Sequence, residues 1–120
     1  MPRKPRVLLI DDSKLILQRL ELYLSSKFDV VTVAHPSDAI MEYGSFKFDL
    51  IITDLPNPES GYKWVSLLRQ QHSGTPILAM NGWGKLPNGN ELNADSVLLK
   101  PFDLEELNRC LDQLLVHRIS

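Results

Sequence analysis

Residues 50–54 read Leu-Ile-Ile-Thr-Asp, an apolar run closed by a carboxylate. A short apolar run of this kind reads as a buried strand. An acid at the C-terminal end of such a strand stands where open α/β sheets place their ligand sites. Val7-Leu8-Leu9-Ile10 is a second such run, closed by Asp11 and Asp12, and Ser96-Val97-Leu98-Leu99 is a third, closed by Lys100. Acids and a base at the ends of three strands suggest one polar pocket.

Outward from these runs, apolar stretches alternate with amphipathic ones along the whole chain. That alternation predicts β-α-β units and a mostly parallel sheet. Strands are expected over 6–10, 29–34, 49–53, 77–80 and 96–99. A first helix is expected from Lys14 to about Ser26, capped by Ser13, with Ile16, Leu20, Tyr23 and Leu24 on its apolar face. Pro36 and Ser37 open a short helix reaching about Gly44. The Pro- and Gly-dense stretch 55–61 (LPNPESG) reads as a loop, followed by a helix over 62–71 with Trp64, Val65 and Leu68 inward. Asp103 and Glu106 form a capping-box-like start to the last helix, whose expected core stripe is Leu104, Leu107, Leu111 and Leu114. Gly82, Gly84, Pro87 and Gly89 oppose a helix in the stretch before strand five, leaving room for about one turn near Glu91 to Ala94.

The 120-residue length argues for one domain, and a hydrophobic content of 43% is ordinary for a globular chain. A net charge of −2 creates no strong field for nucleic acid. Arg3, Lys4 and Arg6 lead straight into a strand. No apolar stretch is long enough to span a bilayer, and the N-terminus lacks a signal-peptide core. The single cysteine, Cys110, excludes an internal disulfide and fits a reducing, cytoplasmic compartment; it reads as a small residue packed on a helix. His35, His72 and His117 are scattered and read as solvated surface residues.

Carboxylates crowded into one pocket repel, and a bound cation relieves the repulsion. Oxygen ligands without a His/Cys cluster favour Mg²⁺, Ca²⁺ or Mn²⁺ over zinc. Mg²⁺ in particular uses one or two carboxylates together with waters and a phosphate oxygen. Lys100 adds a point charge for the same phosphate. An aspartate can itself be the nucleophile and become an aspartyl phosphate.

Together VLLIDDS (7–13), IITDLPNP (51–58), PILAMNG (76–82) and LLKPF (98–102) resemble the receiver domain of two-component response regulators, over about residues 6–117. The resemblance implies a flavodoxin-like α/β fold, a three-layer, doubly wound, five-stranded parallel sheet in the order 2-1-3-4-5. It implies a single receiver domain over residues 1–120. It further implies phosphoryl transfer from a histidine kinase, a phosphotransfer protein or a small phosphodonor onto Asp54. Mg²⁺ would then be held by Asp12, Asp54 and the backbone carbonyl of Pro56, with Asp11 acting through a water. Lys100 would contact the phosphoryl group, and Pro101 would hold the following bend through a cis peptide. Such a domain is no enzyme beyond its own phosphorylation and dephosphorylation. It signals through contact with a downstream protein, without direct binding of nucleic acid or membrane.

The chain departs from the family pattern at the switch. Asn81 stands where Thr or Ser is usual, and its amide is expected to serve as a phosphate contact. Val97 stands where an aromatic ring is common. The loop after Pro58 reaches Gly61 one residue early. The segment between Asn81 and Lys100 is about three residues short, so the fourth helix of the family is expected to be short or missing. Gly82 and Trp83 form the expected rim, with Trp83 shielding the acyl phosphate and slowing its loss. These departures also support an alternative, a pseudo-receiver acting as a phosphorylation-independent interaction module. An aspartyl phosphatase of the haloacid dehalogenase type is disfavoured, because DDSKL does not supply its DxDx[TV] pattern, and the acids after strand one disfavour a flavin.

Overall fold

The computed structural model describes residues 3–55, 57–82 and 92–119. Five strands, β1 (Arg6–Ile10), β2 (Asp29–Val33), β3 (Leu50–Leu55), β4 (Ile77–Asn81) and β5 (Ser96–Leu99), form one sheet. All neighbours are parallel and the order is β2-β1-β3-β4-β5, as expected. The described residues contain four helices: α1 (Lys14–Leu24), α2 (Pro36–Tyr43), α3 (Pro58–Gln71) and α4 (Leu104–Ile119). No helix among them is long and apolar enough to cross a membrane.

The central strands β1, β3 and β4 are buried on both faces, which explains why they read as continuous apolar runs, whereas the edge strand β2 is more open and its sequence alternates. Side chains of period two divide between the two faces. Val7, Leu9, Leu50, Ile52, Leu78 and Met80 meet Leu20 and Leu24 of α1 and Leu107 and Leu111 of α4. Leu8, Ile10, Ile51, Ile77 and Ala79 meet Ala39 of α2 and Val65 and Leu68 of α3. Truncating one such fully buried Leu or Ile to Ala costs about 2–5 kcal/mol, against a total stability of about 5–15 kcal/mol for an ordinary domain. Gly44 ends α2 in close quarters: a Cβ there would lie 2.8 Å from the Ile40 carbonyl oxygen.

Several details differ from the sequence expectations. Helix α3 begins at Pro58, so most of the stretch expected as a loop is helical. Asn57 caps it, its side-chain oxygen accepting from the Ser60 N–H at 2.9 Å and the Ser60 hydroxyl at 2.8 Å. Proline at the first helical position loses no hydrogen bond, because that N–H has no intrahelical acceptor. Strand β3 runs on through Leu55, so Asp54 lies within the ladder, opposite Met80. Leu104 is 48% exposed and leaves the core stripe to Leu107 and Leu111, with Leu114 packed at its margin. Trp64 is half-buried and outside both apolar clusters. Cys110 packs against the first cluster, as expected.

The expected short or missing helix and Trp83 fall on residues 83–91, outside the described residues. Beyond them, Leu92 is fully buried in the second cluster, and Asn93 adopts φ 65°, a left-handed conformation in which Asn is several-fold enriched. Arg69 of α3 ties this segment down. It donates to the Thr75 carbonyl at 2.8 Å and the Asn93 carbonyl at 3.3 Å, and pairs with Asp95. Asp95 also accepts from the Ile77 N–H at 2.7 Å.

His72 corrects another expectation. It is 6% exposed, not solvated, and its ring packs against Phe48 with centroids 5.7 Å apart. Its Nε2 has no hydrogen-bond partner among the described residues. Burial pushes this imidazole below its ordinary value, so the fold holds it neutral. The unfolded chain therefore binds a proton the folded chain refuses, and stability falls as pH drops below the unfolded value of about 6.5. His72→Phe should flatten that loss relative to the parent in urea unfolding between neutral and mildly acidic pH; parallel curves would contradict it.

Candidate functional site

Parallel pairing brings the C-terminal ends of β1, β3, β4 and β5 to one edge of the sheet. Ile10 lies opposite Thr53, which sets Asp11 beside Asp54. Asn81 lies opposite Leu99, and the Asn81 carbonyl accepts from the Lys100 N–H at 2.7 Å. That bond holds the base of Lys100 at the same edge, and the Lys100–Pro101 peptide that follows is cis.

The Lys100 ammonium joins two carboxylates, at 3.0 Å from Asp11 Oδ2 and 2.8 Å from Asp54 Oδ1. Asp11 is 1% exposed, and its other oxygen accepts the Ser13 N–H at 2.9 Å, just ahead of α1. Asp12 is exposed and Asp54 partly buried. One oxygen from each of Asp11, Asp12 and Asp54 lies within 4.8 Å of the others. Three ionised carboxylates and one ammonium leave two negative charges, so a single divalent cation balances the cluster. Carboxylate oxygens alone suit Mg²⁺ or Ca²⁺. The donor set fits the cation that the sequence suggested.

Burial pushes the Asp54 carboxyl above the ordinary carboxylate range; the Lys100 hydrogen bond opposes this, and the charges of Asp11 and Asp12 reinforce it. For Lys100, burial pulls downward, but hydrogen bonds and charge attraction from Asp54 and Asp11 outweigh it and leave the ammonium above its ordinary value. Both members of one ion pair thus move up. Asp54 faces other acids as well as its partner, whereas Lys100 faces only acids.

Asp11, Asp12, Asp54 and Lys100, named from the sequence, come together. Asn81 is fully buried beneath them at the end of β4. Val97 is partly buried on the second core, opposite Ala79. Gly82 and Pro101 line a largely apolar groove of about 640 Å³ that runs from Lys100 along Ile16, Leu20 and Phe102. The Pro56 carbonyl and Trp83 lie outside the described residues. Sequence reasoning missed the opposite wall of the acid pocket. This cavity of about 310 Å³ is bounded by the three acids and by His35, Asn57, Ser60 and Trp64. Reading Asn57-Pro58 as a cap and first helical residue would have found the wall, because Ser60 and Trp64 then fall one turn apart on one helix face.

Removing the ammonium should move Asp54 further in the direction it already leans. Carboxyl-carbon NMR titration of Lys100→Met is expected to show a higher Asp54 midpoint than the parent; an unmoved midpoint would show that the pair contributes nothing.

The family model for the response regulator receiver domain matches residues 7–112. The transcriptional regulatory protein CiaR of Streptococcus pneumoniae is 34% identical over 114 residues, covering 92% of this chain and 51% of that protein. The chemotaxis response regulator CheY4 of Vibrio cholerae superposes with a TM-score of 0.80 at 30% identity, over 93% of this chain and 99% of the other. The signal receiver domain of an HD domain-containing protein from Pseudomonas fluorescens Pf-5 gives a TM-score of 0.84 at 30% identity, over 98% and 99% of the two chains. The chain spans about half the length of the curated relatives it matches.

Proposed function

The chain belongs to the response regulator receiver domain family, and on that premise we propose that it is phosphorylated on Asp54 and signals through contact with a downstream protein. The observation that carries the reading is the Lys100 ammonium held between Asp54 and Asp11, beside Asp12. A histidine kinase or phosphotransfer protein is the proposed donor, acting in the cytoplasm.

In the proposed step an Asp54 oxygen attacks phosphorus. The bond from phosphorus to the donor's imidazole nitrogen breaks, and the imidazole leaves with the electron pair and takes up a proton. Lys100 already lies within hydrogen-bond reach of Asp54 and supplies a cation for the phosphoryl oxygens as the group arrives. Asp11 keeps Lys100 aimed there and is itself fixed by the Ser13 N–H. Asp12 and Asp54, Asp11 through a water, and the Pro56 carbonyl are the proposed ligands of Mg²⁺, which when bound neutralises charge on the phosphoryl oxygens. Asn81 is the proposed further phosphate contact, although a fully buried amide has to move to meet a phosphoryl oxygen. Beyond its own phosphorylation and dephosphorylation the domain has no proposed catalytic activity.

The burial of Asn81 and the aliphatic Val97 favour a second reading, an interaction module that works without phosphate. Incubation with phosphoramidate and Mg²⁺, read by intact mass, separates the two. The parent should gain one phosphoryl group and Asp54→Asn none, with Asp12→Asn slowed at least about tenfold, as for loss of a metal ligand. A parent that stays unlabelled, or an Asp54→Asn protein labelled like it, would transfer the case to the second reading.

A further inference from the structure

The acid pocket has one aromatic side. Trp64, in the second turn of α3, and His35, at the start of α2, both line it opposite the carboxylates. Their rings meet at nearly right angles, with centroids 5.4 Å apart and planes at 84°. Neither ring is loose. His35 Nδ1 accepts the Ser37 N–H at 3.1 Å and lies 2.8 Å from the Ser37 hydroxyl, which fixes the imidazole at the cap of α2. The Lys63 ammonium lies 5.3 Å from the centre of the Trp64 ring, within the range of a cation–π attraction. Two helices thus hold one rim of the cavity from opposite sides.

Water settles where it finds two to four polar partners. The acids offer them in this cavity, and so do Asn57 and Ser60, whereas the ring carbon of the half-buried Trp64 and of His35 does not. Resting on the proposed phosphorylation of Asp54, we propose that Trp64 and His35 form a water-excluding wall that lengthens the life of the aspartyl phosphate. The reaction they oppose is hydrolysis. A water oxygen attacks phosphorus, the bond from phosphorus to the Asp54 oxygen breaks, and the carboxylate is regenerated. The water's proton passes to the inorganic phosphate.

The test compares formation and loss of the label separately. Protein labelled with phosphoramidate and Mg²⁺ is freed of donor by rapid desalting, and the phosphorylated fraction is followed by intact mass. Trp64→Ala should lose phosphate at least about threefold faster than the parent, and Trp64→Phe, which keeps a ring, should restore the slow loss. His35→Asn keeps a good helix cap while removing the imidazole. It should also shorten the lifetime, and it carries the test if Trp64→Ala does not fold. A general structural defect would slow labelling as well, whereas the wall alters loss and leaves the Mg²⁺ affinity of the parent. Lifetimes equal to the parent's in labelled Trp64→Ala and His35→Asn overturn this inference alone. A parent that takes no label overturns the proposed function and the inference together.

Discussion

One lysine ammonium between two carboxylates organises the functional edge of this protein. Asp11 is 1% exposed and Asp54 13%, while Lys100 retains 20% of its surface. A side chain as deeply placed as Asp11 needs polar partners, because burial penalises polar atoms left unmatched. Lys100 and the Ser13 N–H supply the compensation. Breaking such a pair on one side leaves an unmatched buried charge, at a cost of about 3–5 kcal/mol in buried cases. Lys100 is partly open to solvent, which places this pair toward the lower end. The exposed third acid, Asp12, tips the balance back toward negative and gives the pocket its attraction for a cation.

The sheet is what brings these charges within reach of one another. Each parallel strand ends at the same edge, and the registers of the central strands β1, β3 and β4 are held by apolar side chains buried on both faces. A one-residue slip of β3 would exchange Ile51 with Ile52 between two different cores and turn Asp54 away from Lys100. The hydrophobic core therefore specifies the electrostatic site. Packing sets the register, and register sets the distances of 2.8 and 3.0 Å across the ion pair.

Much of this was legible in the chain itself. Apolar runs bounded by turn residues gave five strands, and acids at two strand ends with a lysine at a third gave the pocket. The resemblance added strand order and a cis bond at Pro101, and the structure has both. What escaped the sequence depended on local signals of opposite sense. Proline and glycine between residues 55 and 61 argued for a loop, but Asn57-Pro58 is equally the chemistry of a helix start, and tertiary packing carried Gly61 into α3. That misreading concealed Trp64 as a pocket wall. His72 escaped because polarity alone suggested solvent, while its place at the end of α3 presses it onto Phe48. Leu104 fits the helical period of a core stripe, yet it lines the groove beside Lys100 and Phe102 and stays exposed.

The Arg69 latch gives the two ends of the sheet different physical characters. At the edge holding the acid pocket, Asp11 and Asp54 are 1% and 13% exposed and Asp12 is open to solvent. At the opposite edge Arg69 and Asp95 keep 21% and 42% of their side-chain surface open. The two cations are equally open, but Asp95 is more exposed than Asp11 or Asp54, so dissolved ions, which screen over about 8–10 Å at ordinary ionic strength, reach the second pair more readily than the first. The join between α3 and the approach to β5 is thus softened by added salt through its ion pair and retained by the neutral carbonyls of Thr75 and Asn93, so the Arg69 pair feels ionic strength more than the Lys100 pair does.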